Sequence, residues 1–405
     1  MPKATLDPRL RALYLVAVAI GVFLVHTWWI VGIVAAVQAV LWLSVGLGIP
    51  RLLRQLRKLS LFLGFILVCF ALVRNDPATD RWQTLIIPGV GWGIDINLSG
   101  ALVGLTMVMR VLAVVLASQV IRAGDPKALA AGLGRLGVPR TVSLSIDAVL
   151  ALLGERGRRG GGGGGTGGGG GGGRGSGDGQ GSGKAEGGGF WAGLRRLARG
   201  DVSIIATSLR RQMARAEEHV VAQGESEGRR ARDVAVISGI ALTMLGVKAL
   251  KLLPGLPFAP GHKGVILIPL YIVAGRMTRS RAGATLTGLT MGSCAFLLGD
   301  GRYGIFEIFK HVAPGVVVDL GMPIMRGRKA IWAWSLFGLV IALGRFATIA
   351  CIALAVQAPA VVYAFLLPGL AIHATFGVLS GIVTAPLIRA LPQEDEETEP
   401  RRQDE

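Results

Sequence analysis

Long stretches almost without charged residues alternate with short basic stretches through most of the chain, and this alternation limits the fold more than any other feature. The stretch from Leu13 to Ile49 would measure about 55 Å as a single helix, which exceeds a bilayer core of about 30 Å. The residues from His26 to Trp29 combine polar groups with two tryptophans, which suit a membrane interface. The chain is therefore predicted to turn there and to form two membrane spans before the first basic segment.

The rest of the chain repeats this pattern and predicts an all-α, polytopic membrane protein with about ten transmembrane helices. The predicted spans lie near residues 12–26, 29–48, 60–73, 98–121, 235–254, 264–277, 282–299, 304–320, 330–356 and 361–388. Residues 84–97 alternate in polarity and contain glycines, which predicts a short extended or re-entrant segment. The segment 122–234 contains helical stretches near 141–154 and 191–226.

The composition supports a membrane protein, because 51% of the residues are hydrophobic and 17% are charged, against about 25% charged residues in soluble domains. The net charge of +18 results from basic residues at the ends of apolar segments. This placement follows the positive-inside rule and indicates orientation in a membrane, not nucleic-acid binding. Both termini are predicted to be cytoplasmic, in a multi-pass protein of the inner membrane. The basic cytoplasmic loops contain Arg51, Arg54, Arg57, Lys58, Arg276, Arg279, Arg281, Arg326, Arg328 and Lys329.

The run from Gly160 to Gly189 is almost entirely glycine and predicts a disordered linker, since it cannot form a core. Within it, GSGKA at 181–185 is similar to a phosphate loop, but the first glycine would fall at Asp178 and Ala185 replaces the hydroxyl that binds magnesium. The chain is therefore predicted to have no ATP site of its own. Residues 391–405 form an acidic tail that is predicted to be disordered.

The three cysteines, Cys69, Cys294 and Cys351, lie inside apolar segments and are too scattered for a disulfide framework or a zinc site. No metal site is predicted, because no spacing typical of metal ligands occurs.

Several polar residues lie within or beside the predicted spans, where they are costly and usually face a cavity or each other. They are Arg110, Lys310, His311, Asp319, Arg345 and His373. For Arg110 the favoured interpretation is a structural contact with backbone carbonyls or with Asp95, and contact with a substrate is the alternative. Asp300 and Arg302 lie in GDGRYG at 299–304, which is either a tight loop between spans or a polar surface that faces a substrate.

A stripe of small residues at spacing four, Ala231, Ala235 and Gly239, would lie on one face of a helix and allow a neighbouring helix to approach closely. Chance is an equal alternative, because alanine and glycine are abundant in this chain.

Three segments resemble the transmembrane T component of energy-coupling factor (ECF) vitamin transporters, the family that includes the cobalt-transporter Q subunits. They are LDPRLRALYLV at 6–16, MRVLAVVLASQVIRAGDPKALAAGLGRLGVP at 109–139, and SLRRQMARAEEHVVAQG at 208–224. The last is similar to the long cytoplasmic coupling helix of the family. The resemblance covers roughly residues 5–232, and residues 1–232 are assigned to this T-like domain.

The second half of the chain resembles the substrate-binding S component of the same transporters. The resemblance rests on GHKGVILIPLYIVAGRMTRSRAGATLTGLTMG at 261–292 and APGVVVDLG at 313–321. It implies a six-helix substrate-binding membrane domain at 233–390, although 235–254 fits either half. The candidate substrate-binding residues are His262, Lys263, Asp300, Arg302 and His373.

The resemblance implies an importer in which separate cytoplasmic ABC-type ATPases use ATP and no cofactor binds this chain directly. The ATPases would contact the ends of two coupling helices, where the family has a small residue, arginine and glycine. ERGRRG at 155–160 supplies Arg156 or Arg159, whereas the second site has Gln223 in place of arginine. Arg211 and Arg215 lie four apart on the second helix and are further candidates.

The sequence therefore predicts a membrane subunit that imports a vitamin or other micronutrient, with membrane lipid, ATPase subunits and a small molecule as partners. One alternative is a T-type scaffold whose C-terminal half does not transport. Another is a membrane-embedded enzyme acting on lipid, which lacks a convincing catalytic cluster in the spans.

Overall fold

The protein is almost entirely helical in a computed structural model, which describes residues 7–72, 78–86, 93–122, 132, 134–135, 137–160, 201–224, 228–249, 263–298, 306–355 and 360–391. The helices in the N-terminal part are α1 (Pro8–Leu24), α2 (Trp28–Ser44), α3 (Ile49–Leu72), α4 (Leu98–Arg122), α5 (Arg140–Gly160) and α6 (Ser203–Ala222). Those that follow are α7 (Arg229–Ala249), α8 (Gly264–Met277), α9 (Gly283–Leu297), α10 (Phe306–Met325), α11 (Ile331–Ala355) and α12 (Ala360–Ala390). The predicted all-α fold class is confirmed.

Two strands, β1 (Trp82–Ile86) and β2 (Gly93–Asn97), pair antiparallel with Trp82 opposite Asn97 and Ile86 opposite Gly93. They form a hairpin between α3 and α4, where the sequence predicted an extended or re-entrant segment. The predicted turn between the first two spans is also present, since α1 ends at Leu24 and α2 begins at Trp28.

Within the described residues, four helical segments are long and apolar enough to cross a membrane: Leu98–Ile121, Ile308–Met325, Ile331–Leu354 and Leu366–Ala390. A fifth is the pair Ile49–Arg57 and Leu59–Leu72, which is bent by 45°. Shorter apolar helices coincide with the predicted spans at 29–48, 264–277 and 282–299. The described residues therefore form a polytopic membrane protein, and the count of ten spans stays a prediction.

The basic segment at 49–59, expected to be a loop, is helical and forms the first part of α3. Its leucine, arginine, lysine and glutamine residues have high helix propensity, which explains why the helix begins before the apolar run. The helix predicted near 191–226 is described from Ser203 to Ala222, and its first predicted residues, 191–200, lie outside the described part of the chain.

In the N-terminal part, α4 is the central helix, because α1, α2 and α3 all pack against it. Gly104 of α4 allows this approach to α3, since an added Cβ would lie 2.9 Å from the Cβ of Phe70. A side-chain hydrogen bond of 2.5 Å from Tyr14 to Gln38 joins α1 to α2.

The helices α7 to α12 form a bundle around α8, which packs against the other five. Glycines bring neighbouring helices into backbone contact. A Cβ on Gly288 of α9 would lie 2.2 Å from the carbonyl oxygen of His311 in α10, and a Cβ on Gly381 of α12 would lie 2.2 Å from the Cα of Ser335 in α11. Small residues at such crossings let transmembrane helices pack closely.

The predicted boundary between the two domains, at residues 232 and 233, falls inside α7. This helix packs against α5, α6, α8 and α9, and α9 also contacts α4 and α5. A single hydrophobic cluster extends from Leu15 in α1 to Leu387 in α12. The division at 232 stays a prediction. The glycine linker at 160–189, except Gly160, and the tail at 391–405, except Leu391, lie outside the described residues.

Candidate functional site

A polar cluster joins α5 to the end of α6 at the second predicted coupling position. The amide nitrogen of Gln223 donates to the Oδ2 atom of Asp147 over 2.5 Å and lies 3.0 Å from the Nε2 atom of His219. His219 is itself 3.6 Å from the same Asp147 oxygen. His219 and Gln223 share one face of α6, because they are four residues apart. Gln223 is thus tied to α5.

Arg211 and Arg215 lie on the exposed face of α6, whereas Leu209, Ala216 and Val220 on the opposite face are fully buried. No ion pair of either arginine occurs within the described part of the chain. Arg156 and Arg159 belong to the last turns of α5, and their side chains lie outside the described residues.

Helix α6 is also linked to the end of α12, the last helix of the bundle. The guanidinium of Arg210 in α6 donates to the carbonyl oxygen of Ala390 in α12. Because the last carbonyls of a helix lack partners within it, a basic side chain at this end satisfies one of them.

The small-residue stripe lies in α7, where Ala231 and Ala235 are each 3% exposed. A Cβ on Gly239 would lie 2.7 Å from the backbone nitrogen of Met213 in α6. The backbones of α6 and α7 therefore meet at Gly239.

Arg110, in the middle of α4, bonds to the end of α1. Its Nη2 atom donates to the carbonyl oxygen of Val25 over 2.7 Å, and the guanidinium lies 6.0 Å from the centre of the Phe23 ring. Asp95, the other predicted partner, accepts a 2.7 Å hydrogen bond from Thr84 in the hairpin. Of the two predicted kinds of structural contact, the one with a backbone carbonyl is present.

Two aspartates hold the connection between α8 and α9. The carboxylate of Asp233 in α7 accepts from the backbone N–H groups of Arg279 and Ser280, at 2.8 and 3.2 Å. The carboxylate of Asp319 in α10 accepts from Ala284 and Thr285 at the start of α9, at 3.0 and 2.7 Å. The Asp319 carboxylate thus satisfies free N–H groups in the first turn of α9, and its negative charge interacts favourably with the positive end of the helix dipole.

Two histidines are buried among the described residues of the bundle. His373 of α12 is 4% exposed, and its Nδ1 atom lies 2.8 Å from the carbonyl oxygen of Gly369. Its ring is 5.5 Å from that of Phe346 in α11. His311 of α10 lies with its Nδ1 atom 3.0 Å from the hydroxyl oxygen of Tyr271 in α8.

The predicted substrate-binding residues divide between described and undescribed positions. Lys263 donates to the carbonyl oxygen of Lys248 at the end of α7. His373 instead bonds to Gly369 within its own helix, α12. His262, Asp300 and Arg302 lie outside the described residues.

Sequence reasoning passed over Asp147, His219, Tyr271 and Phe346. The spacing of four between His219 and Gln223 could have indicated that both belong to the polar cluster with Asp147, because it places them on one face of a helix. No sequence pattern distinguished Phe346 and Tyr271, because aromatic residues are common in apolar helices.

Residues 2–153 match the family model described as cobalt transport protein, CbiQ, which belongs to the T components of ECF transporters. This match confirms the resemblance for somewhat less than half of the chain and identifies its N-terminal part as a membrane transport component. The second half, assigned by resemblance to an S component, lies outside the match. Neither the curated proteins nor the solved structures include a significant match.

Proposed function

We propose that this chain is the membrane subunit of an ECF-type ABC importer, with a T-like part at residues 1–232 and a cargo-carrying part at 233–390. The observation that carries the proposal is the match of residues 2–153 to a transport family, together with a helical bundle that packs directly against the matched helices. The cargo is a vitamin or another micronutrient.

In this proposal, the chain has no ATP site and separate cytoplasmic ATPases drive transport through α5 and α6. These two helices suit the task because α7 packs against both of them and continues into the bundle through α8 and α9. The bond from Arg210 to the end of α12 adds a second connection between the coupling region and the cargo-carrying part. A displacement of α6 by an ATPase would thus act on α7 and α12, the first and the last helix of the bundle.

Arg156 and Arg159 at the end of α5 form the main ATPase contact, and Arg211 and Arg215 contribute from the exposed face of α6. Arginine suits such a contact because its planar fork bonds several carboxylate or carbonyl oxygens at once. Gln223 contributes little, because its amide already bonds to Asp147.

Co-purification with candidate ABC-type ATPases tests this proposal. Arg156→Ala combined with Arg159→Ala should abolish co-purification and uptake, because breaking charged interface contacts costs a few kcal/mol. Arg326→Ala combined with Arg328→Ala is the matched control, since both arginines are exposed beyond the end of α10, and it should retain wild-type binding. Gln223→Arg should bind ATPase at or above the wild-type level.

Wild-type recovery of the ATPases by the double variant at 156 and 159 would refute the coupling assignment. Failure of the unmodified chain to recover any ATPase would refute the ECF proposal itself and favour the scaffold alternative.

A further inference from the structure

The first part of α3, Ile49–Arg57, is an amphipathic helix with one basic face and one apolar face. Arg51, Arg54 and Arg57 follow one another at a spacing of three, which places them on the same face. The apolar residues lie on the opposite face and are Ile49, Leu52, Leu53 and Leu56. Arginine on one face and leucine on the other are typical of helices that lie in the plane of a membrane surface.

The basic face is not neutralised by the protein. All three arginines are exposed, and within the described residues none of them forms an ion pair or a side-chain hydrogen bond. The chain contains no acidic residue between Asp7 and Asp76. Three positive charges without a counter-charge therefore present a surface that is complementary to an anionic partner.

The apolar face is covered only in part. Leu52 and Leu56 are half-buried, whereas Ile49 and Leu53 are 57% and 59% exposed. A bilayer interface accommodates both faces at once, because apolar side chains insert among the acyl chains while arginine side chains remain at the headgroups. The exposed apolar residues therefore favour a lipid surface over a soluble acidic protein as the partner of the arginines.

The neighbouring elements hold this segment beside the membrane. Its axis is bent by 45° from Leu59–Leu72, which contains no charged residue. The turn before it is fixed by a 3.1 Å hydrogen bond from the indole N–H of Trp42 in α2 to the carbonyl oxygen of Gly48. Gly48 has a positive φ of 74°, which glycine adopts without strain. The segment is thus held between two apolar helices.

We propose that the three arginines of α3 bind the headgroups of anionic phospholipids, while Ile49 and Leu53 insert into the same leaflet. Guanidinium groups bind phosphate oxygens with paired hydrogen bonds. Each basic residue at an anionic membrane surface strengthens binding by about fivefold. Anionic lipid therefore helps to set the position of α3, which packs against α4 in the part of the chain that matches the transport family.

Photocrosslinking of the full chain to lipid tests the inference. The photoreactive residue p-benzoylphenylalanine replaces Leu53, and the protein is reconstituted in vesicles of equal parts phosphatidylglycerol and phosphatidylcholine. Both lipids contain a phosphate, but only phosphatidylglycerol has a net negative charge. Crosslinks to phosphatidylglycerol should exceed those to phosphatidylcholine by at least about fivefold. The same probe at Leu354, which is 63% exposed in α11, should crosslink the two lipids about equally.

Charge variants, made in the chain with the probe at residue 53, assign the preference to α3. Replacing all three arginines with glutamine should remove the excess of phosphatidylglycerol, whereas replacing them with lysine should keep most of it, because the positive charge is preserved. Glutamine at 326, 328 and 329 removes three exposed charges from the turn after α10 and should leave the excess unchanged. Unaltered crosslinking at residue 354 shows that a variant is folded in the bilayer.

Raising the salt concentration gives a second readout. The excess of phosphatidylglycerol at residue 53 should fall, because salt screens exposed charges, and the ratio at residue 354 should stay constant.

Equal crosslinking of the two lipids at residue 53 would overturn the inference, as would an excess that survives the glutamine variant. Equal losses in the glutamine and lysine variants would overturn it too, because the loss would not follow the charge. Crosslinking of residue 53 in cells to a protein in place of lipid would show that the partner is a protein. Recovery of ATPases through α5 and α6 tests the proposed function separately, because α3 lies outside those helices.

Discussion

At the scale of a residue, Arg110 shows how a charged side chain is accommodated inside the N-terminal helices. Its bond to Val25 satisfies a carbonyl just after the last residue of α1, and its position over the Phe23 ring places the cation against an aromatic face. Phe23 in turn packs edge-on against Phe306 of α10, with ring centres 5.3 Å apart. Arg110 thus stabilises the place where α1, α4 and the start of α10 come together.

Arg110→Ala should lower the free energy of unfolding by about 1–3 kcal/mol, because the Val25 carbonyl loses its charged donor and the Phe23 ring loses its neighbour. Thermal unfolding of the purified protein in detergent measures the change. Arg326→Ala, on an exposed turn, should change stability by less than about 0.5 kcal/mol. Equal melting temperatures for the two variants would show that the Val25 contact contributes no stability.

At the scale of an element, α7 depends on glycine at its crossing with α6. The backbone of Met213 is so close to Gly239 that an added Cβ would lie 2.7 Å from the nitrogen and 2.8 Å from the Cα atom. Backbone atoms cannot rotate away as a side chain can, so the two helices would have to separate. The same helix contains Gly246, around which no atom lies within 4 Å of an added Cβ.

Gly239→Ala and Gly246→Ala should therefore have opposite effects. The first should destabilise the protein by about 1–3 kcal/mol through overpacking, and the second should stabilise it by up to about 1 kcal/mol, because alanine has the higher helix propensity. Denaturation of the two variants in the same detergent gives the comparison. A gain in stability at residue 239 would mean that α6 and α7 are not in close contact in the membrane.

At the scale of the whole molecule, the bundle helices alternate in direction, and the antiparallel contacts of α11 with α12 and of α9 with α10 follow from their glycine crossings. From the charges of the loops, we predict that both termini and residue 160 are cytoplasmic. Reporter fusions after residues 77, 160, 258, 302 and 395 should report inside at 160 and 395 and outside at 77, 258 and 302. A reporter at 160 that faces outside would contradict the predicted topology.

The sequence contained enough information for the fold class and for much of the N-terminal part. Hydropathy and charge are local properties, so they located apolar helices, the turn before Trp28 and the extended segment that forms β1 and β2. They misjudged residues 49–59, because a basic segment was expected to be a loop although its residues favour a helix.

By itself, the sequence determined that this is a helical membrane protein whose N-terminal part belongs to a transport component, because apolar length and local motifs follow directly from residue order. Only the tertiary structure decided which groups meet across it: Arg110 with Val25, Gln223 with Asp147, and Phe346 with His373. These partners come from different helices, and the rotation and depth at which helices pack depend on where small residues permit close approach.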